Sequence, residues 1–196
     1  MRDIPHETPV TALSIPGTHN SVCIGGPLGF GQTQNLDLSH QLIAGIRFFD
    51  LRLAHYQDNL FAHHDVVHME KCYAEVLNTC SNFLHQFPLT YWPENQTFRS
   101  AATPVYDVHD RYRGLKEEEK CELVVAHLEE AKKGDLKDLY ITFSSAVGLK
   151  AHGYADDINP RLNDYLVESS KGRVGIVAMD YFEEPPELVS NVIKMN

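Results

Sequence analysis

Short apolar runs alternate with longer amphipathic ones along most of this chain, and that alternation admits few folds. Thr11–Ile15, Ile46–Leu53, Val105–His109, Leu139–Phe143 and Val174–Met179 have the length and composition of strands. Helical patterns follow them at Asp37–Ala44, Tyr73–Gln86, Lys116–Lys133, Pro160–Ser169 and Pro186–Lys194. In the second helix Tyr73, Val76, Leu77, Cys80, Phe83 and Leu84 keep the spacing of one buried face, and Pro88 stops it. In the third, Leu123, Val124, His127 and Leu128 do the same, with Gly134 as the closing residue. Asp37 is placed to cap the first helix, and Asn159 and Pro160 to open the fourth. Strands alternating with helices build parallel α/β sheets or barrels. About five strands are legible, whereas a closed barrel of this kind has eight and typically about 250 residues. The expectation at this point is a parallel α/β sheet or barrel occupying residues 1–196 as one domain. The alternation lapses between Leu89 and Leu115, so the missing strands belong after Phe87.

Composition narrows the function classes. A net charge of −10 disfavours nucleic acid and bulk adhesion to an anionic membrane, since either would call for a basic surface. No apolar run approaches the roughly 20 residues of a spanning helix, and no apolar leader follows Met1. Localisation is left open by these features. Cys23, Cys72, Cys80 and Cys121 contain no CxxC pair and read as free thiols, Cys72 and Cys80 lying too far apart on one helix to bridge.

Two segments concentrate the chemistry. Ser14-Ile-Pro-Gly-Thr-His19-Asn-Ser21 places an imidazole in a Pro-Gly turn after the first strand. Gly45-Ile-Arg-Phe-Phe-Asp50-Leu-Arg52 puts Phe48, Asp50 and Arg52 on one face of the second, with His63 and His64 following. Alternating charges inside an apolar strand are costly unless they face a polar barrel mouth. Each residue also admits a purely structural role. His19 could bond a turn carbonyl, and Asp50 with Arg52 could be an ion pair fixing register. Asp180 could cap a turn, and Asp110 with Tyr112 could be a surface turn. The histidines His55, His63, His64 and His68 are badly spaced for a metal, and no H-E-x-x-H pattern occurs. Together, two histidines, an orienting acid and an arginine suit acid–base cleavage of a phosphodiester by internal attack. A carboxylate beside an aromatic face, as in Asp110 and Tyr112, suits a polyhydroxylated ring.

These residues resemble a known family. The two segments, with Gln41-Leu-x-x-Gly45 and the His63–His64 pair, are similar to the X-domain signature of phosphatidylinositol-specific phospholipase C, in its small bacterial-type branch that fungi also carry. The likeness continues through Tyr91-Trp-Pro-Glu-Asn-Gln-Thr-Phe98, His109-Asp-Arg-Tyr112, Leu139-Tyr-Ile-Thr-Phe143, Ile158-Asn-Pro160 and Val177-Ala-Met-Asp-Tyr181. The resemblance implies an α/β fold of (βα)8 TIM-barrel type, incomplete, with His19 as general base on the inositol 2-hydroxyl, oriented by Asp180, and Arg52 on the phosphate. It implies His64 as general acid releasing diacylglycerol, Asp50 in support, and Asp110 and Tyr112 around the inositol ring. The products would be diacylglycerol and inositol 1,2-cyclic phosphate. It implies a phosphatidylinositol partner met transiently at a membrane surface. No cofactor and no metal are expected, since a guanidinium stands where the animal branch holds a calcium ligand.

The chain departs from that pattern at three places. Asn20 replaces an aspartate and is expected to accept from Arg52; Asp65 replaces a glycine after His64. Two strand–helix units that carry a pocket lysine and arginine have no counterpart after Phe87. A rival expectation follows: a shortened relative that only binds inositol headgroups, or folds poorly.

Overall fold

The computed structural model describes residues 5, 8–25, 31–83, 97–99, 105–146 and 151–196. In chain order the elements are β1 (Ile15–Thr18), α1 (Leu38–Ala44), β2 (Phe48–Phe49), β3 (Leu53–Tyr56), β4 (Asn59–His64), β5 (Val67–Cys72) and α2 (Tyr73–Phe83). They continue as β6 (Thr97–Arg99), β7 (Tyr106–His109), α3 (Glu117–Lys133), β8 (Leu139–Phe143), α4 (Ala151–Glu168), β9 (Ile176–Met179) and α5 (Leu188–Lys194). One sheet has six strands in the order β2-β1-β9-β8-β7-β6, all parallel except β6, which runs antiparallel to β7. A separate antiparallel ribbon, β3-β4-β5, rises beside it. The larger sheet is not closed among the described residues; β2 and β6 are its edges. The expected shortening after Phe87, the Tyr91–Phe98 motif up to residue 96, the helix beyond Phe83 and most of the Gly25–Gly31 loop lie outside the described residues.

Alternation along the strands sorts side chains into two layers. Ile15, Val108, Ile141, Phe143, Ile176 and Ala178 pack together on the inner face. Val174, Val177 and Met179 pack outward on Val124, Leu128, Leu162, Leu166 and Leu188 of the helices. Each such fully buried branched chain contributes about 1.5–3 kcal/mol. A third cluster joins α1 and α2 to the ribbon through Leu42, Ala62, Met69 and Val76. Arg173 fastens the end of the sheet remote from the site. Its guanidinium donates to the carbonyls of Thr11, Asp138, Ala131 and Gly134 and lies 5.0 Å from the centre of the Tyr140 ring.

Several expectations are corrected. The first strand is Ile15–Thr18, not Thr11–Ile15, and Val10–Ala12 form a 3-10 turn. Pro16 and Gly17 are therefore inside a fully buried strand rather than in a turn. Gly17 is there for space: a Cβ would lie 2.7 Å from Cδ1 of the Phe48 ring on the paired strand. The run Ile46–Leu53 divides. Phe48–Phe49 pair with β1, the Asp50 amide still donates to the Thr18 carbonyl (3.1 Å), and the chain then leaves to start β3 at Leu53.

Asp37 does cap α1, accepting from the His40 amide at 2.9 Å. On α2, Val76 is buried but Leu77 is 48% exposed, so the buried face is narrower than the spacing predicts. Cys72 ends β5 instead of lying on the helix with Cys80, and all four cysteines are free thiols. Gly134 closes α3 at φ −74°, so no left-handed cap is involved; a side chain there would collide with the Tyr140 hydroxyl. The largest miss is α4. It starts at Ala151 and carries Pro160 in its interior, because Ala155, Ile158, Leu162 and Leu166 form one continuous buried face across the proline. The Val174–Met179 strand begins only at Ile176, after Gly175 at φ +73°.

Candidate active site

His19, Asp50, Asp110 and Asp180 each stand immediately beyond the last residue of a parallel strand, respectively β1, β2, β7 and β9. Carboxyl ends of parallel strands converge on one rim, which is why α/β barrels gather chemistry there. Pairing β1 between β2 and β9 does the gathering here, and the His19 amide extends that ladder by donating to the Met179 carbonyl at 3.0 Å.

His19 is almost entirely buried, and each ring nitrogen has partners. Nδ1 lies 2.8 Å from Oδ1 of Asp180. Nε2 lies 3.0 Å from Nη2 of Arg52 and 3.1 Å from Nδ2 of Asn20, both donors. The proton of the neutral ring therefore sits on Nδ1, directed at Asp180, and the Nε2 lone pair is presented to the site. Burial, then the Arg52 guanidinium, pushes His19 well below the ordinary histidine range, which keeps it an unprotonated base. Burial pushes the Asp180 carboxyl up, against the pull of His64 and Arg52. Asn159, within α4, holds that corner by donating to the carbonyls of Asp180 and Tyr181 at 2.9 and 3.1 Å.

Arg52 donates through Nε to Oδ2 of Asp50 at 3.3 Å. Burial opposes its charge, but Asp50, Asp110 and Tyr112 outweigh burial and raise it above the ordinary arginine value. The expected Asn20–Arg52 bond is replaced by Arg52 bonds to Asp50 and His19. Asn20 adopts φ +43°, its amide donates to Oδ2 of Asp50 at 3.2 Å, and its own Oδ1 is buried without a hydrogen-bond partner. The Asp50–Arg52 pair thus exists, but it turns toward His19 instead of stitching strand register.

The ribbon brings in the second imidazole. His64 ends β4, its ring centre 6.1 Å from that of His19, edge to face. Nδ1 donates to the Gly31 carbonyl at 2.8 Å, so Nε2 is the nitrogen left for chemistry. Asp65 takes φ +52° in the turn that follows, a left-handed geometry that aspartate tolerates better than most residues and glycine best. Asp110 and Tyr112 are both buried, and both act electrostatically on Arg52. His55 and His68 remain on the ribbon; His68 packs on Tyr56 and Phe61.

Sequence reading missed several residues that hold this site. The Gln34 amide donates to the carbonyls of His19 and Met179 at 2.9 and 3.0 Å. Gln41 accepts from the Thr18 hydroxyl and donates to the Ser21 and Leu36 carbonyls, each at 2.7 Å. Lys120 is wholly buried beneath the loop after β7. It left a signal, a lysine in register with the buried face Val124, His127, Leu128 and Ala131, as Gln41 did by opening the Gln41-Leu-x-x-Gly45 motif.

The fold is the TIM-barrel-like α/β fold of the phosphatidylinositol-specific phospholipases C. It superposes on the enzyme of Staphylococcus aureus, solved with pentafluorophenylalanine incorporated, with a TM-score of 0.88 at 18% identity, covering 100% of this chain and 96% of that one. On the enzyme of Listeria monocytogenes the TM-score is 0.81 at 22% identity, covering 100% and 97%. In sequence the chain is similar to the 1-phosphatidylinositol phosphodiesterase of Listeria monocytogenes, 36% identical over 94 residues, which is 45% of this chain and 29% of that protein. The chain thus matches less than a third of that relative's length. No family model matches. The chain is thus similar to the bacterial enzymes in fold over its whole length and in sequence over part of it.

Proposed function

We propose that this chain cleaves phosphatidylinositol to diacylglycerol and inositol 1,2-cyclic phosphate, a phosphodiesterase reaction run by two histidines. The observation that carries it is the buried His19, its Nδ1 on Asp180 and its Nε2 offered to the site. In the cycle Nε2 of His19 takes the proton of the inositol 2-hydroxyl, whose oxygen attacks phosphorus. Arg52, part exposed and so able to swing, leaves Nε2 to meet the charge growing on the phosphoryl oxygens, and the Asn20 amide yields the same nitrogen to the incoming hydroxyl. Protonated His64 gives its Nε2 proton to the departing diacylglycerol oxygen, and its Nδ1 keeps the Gly31 bond throughout. Asp50 holds Arg52 and the Asn20 backbone. The unbonded Asn20 Oδ1 is an acceptor for a substrate hydroxyl, and Asp110 with Tyr112 embrace the ring.

The remaining assignments belong to the same reading. The chain is a single X-type catalytic domain over residues 1–196, of the small branch that fungi also carry, supported by the Ser14–Ser21 and Gln41–Leu53 motifs. Its lipid is met at a membrane surface without insertion, and no described helix is long and apolar enough to cross one. The Staphylococcus aureus phosphatidylinositol-specific phospholipase C binds membranes. No metal takes part, because the Arg52 cation occupies the phosphate side of the site. The test is release of chromophore from a chromogenic inositol phosphate ester in chelator. Turnover is expected, and His19→Ala and His64→Ala should each reduce it at least about 100-fold. Wild-type turnover in either variant overturns the acid–base roles. A cooperative melt of the native chain with no turnover overturns catalysis in favour of a headgroup-binding relative.

A further inference from the structure

Lys120 stands in the first turn of α3, at 0% exposure, four residues before Val124 on the face that packs against the sheet. Its ammonium donates to the Arg111 carbonyl at 2.6 Å and to the Phe143 carbonyl at 2.7 Å. Arg111 lies between Asp110 and Tyr112, so one bond grips the backbone of the loop that carries both. Phe143 ends β8, and its ring meets the His19 ring edge-on at 5.8 Å. Lys120 thus ties three things together: the helix, the Asp110–Tyr112 loop and the strand end beneath the base. A methionine would fill the same space without the desolvation cost of an ammonium, but it would lose both of these bonds. The balance of charges agrees with this placement. Burial pushes the Lys120 ammonium down to about 7, and its principal counterweights are Asp110 and Asp180, two acids of the site.

We propose that Lys120 is a positioning residue for the headgroup pocket, locking the Asp110–Tyr112 backbone against the end of β8 so that carboxylate and phenol meet the polyol ring beside His19. This rests on the reading that Asp110 and Tyr112 contact inositol. Because those contacts are made in substrate and transition state alike, loosening them raises KM more than it lowers kcat.

The experiment compares Lys120→Met with the native chain in three readouts: phosphatidylinositol kinetics in mixed micelles, inhibition by free myo-inositol, and deuterium exchange of the backbone at Asp110–Arg113. The expected result is a KM raised about tenfold or more, inositol inhibition weakened by the same factor, and kcat within about threefold. Exchange at Asp110–Arg113 should quicken while β8 stays protected. Unchanged KM and unchanged exchange overturn the proposal, as does a fall confined to kcat. If Lys120→Met does not melt cooperatively, Lys120→Gln, which keeps one donor, takes its place and should show the same split at reduced size; equal losses in kcat and KM overturn it. Should the native chain neither turn over lipid nor bind inositol, the functional reading fails. The exchange comparison alone then decides whether Lys120 holds the loop.

Discussion

At the residue scale the governing fact is that His19 loses water without losing its partners. Nδ1 faces Asp180 and Nε2 faces Arg52, so the ring is held in one tautomer and kept neutral. The sign of the second influence can be tested. Arg52 disfavours the protonated ring, so Arg52→Met should move the His19 titration upward, toward 6.5 but still below it, because burial remains the larger cause. NMR titration of the imidazole carbons reads this directly, without turnover. A downward movement, or none, would show that Arg52 does not face the ring in solution. The same pair shows what sequence can and cannot supply. Spacing on Ile46–Leu53 put Asp50 and Arg52 on one face, but whether they serve each other or a histidine more than thirty positions earlier is set by the β1–β2 register.

At the element scale α4 is the instructive case. Proline within a helix removes one amide donor and crowds the preceding turn, which normally costs about 3 kcal/mol. The apolar face continues through Pro160 and the Asn159 amide caps two site carbonyls, so packing outweighs the local preference. Pro160→Ala restores the donor without touching either feature. After the entropy it returns to the unfolded chain, the variant should gain about 2 kcal/mol and melt about 4–8 °C higher. A lower melting temperature would mean that the helix needs a bend at this point. The sequence signal failed here for a physical reason: Asn-Pro is a helix-opening pair locally, and only the tertiary partners Asp180 and Tyr181 reveal what Asn159 is for. Gly134 teaches the same lesson, being required by the Tyr140 ring and not by a left-handed cap.

At the scale of the whole molecule, buried imidazoles set the response to acid. His109 is 2% exposed at the end of β7 and burial lowers it from 6.5 to about 3; His19 is lowered in the same direction. A base depressed on folding lets the unfolded chain take up protons first. Its contribution to stability is full above 6.5 and is lost as pH falls toward the folded value. Each such group gives a slope of up to about 1.4 kcal/mol per pH unit. Chemical denaturation between pH 6.5 and about 4.5, above the main carboxylate transitions, should therefore show stability falling with acid. In His109→Leu the fall should be smaller, since the raised Asp180 carboxyl opposes the His19 contribution in this range; an unaltered slope would mean that His109 is protonated or open to water in the folded chain.

What the sequence determined by itself is the class of fold and the inventory of the site. The short apolar strands and amphipathic helices required an α/β architecture, a parallel sheet or a barrel, because periodicities of two and 3.6 are imposed by backbone geometry alone. The motifs named His19, Asp50, Arg52, His64, Asp110, Tyr112 and Asp180 before any coordinate. Tertiary structure decided which nitrogen of His19 faces which partner, where the first strand begins, and that Lys120 is buried beneath the site. Those outcomes depend on pairing between segments far apart in the chain, where a carbonyl, a ring or a carboxylate meets its partner only after the sheet has formed. No local pattern encodes such meetings, and in this protein they are what turns a set of polar residues into a base, an acid and a pocket.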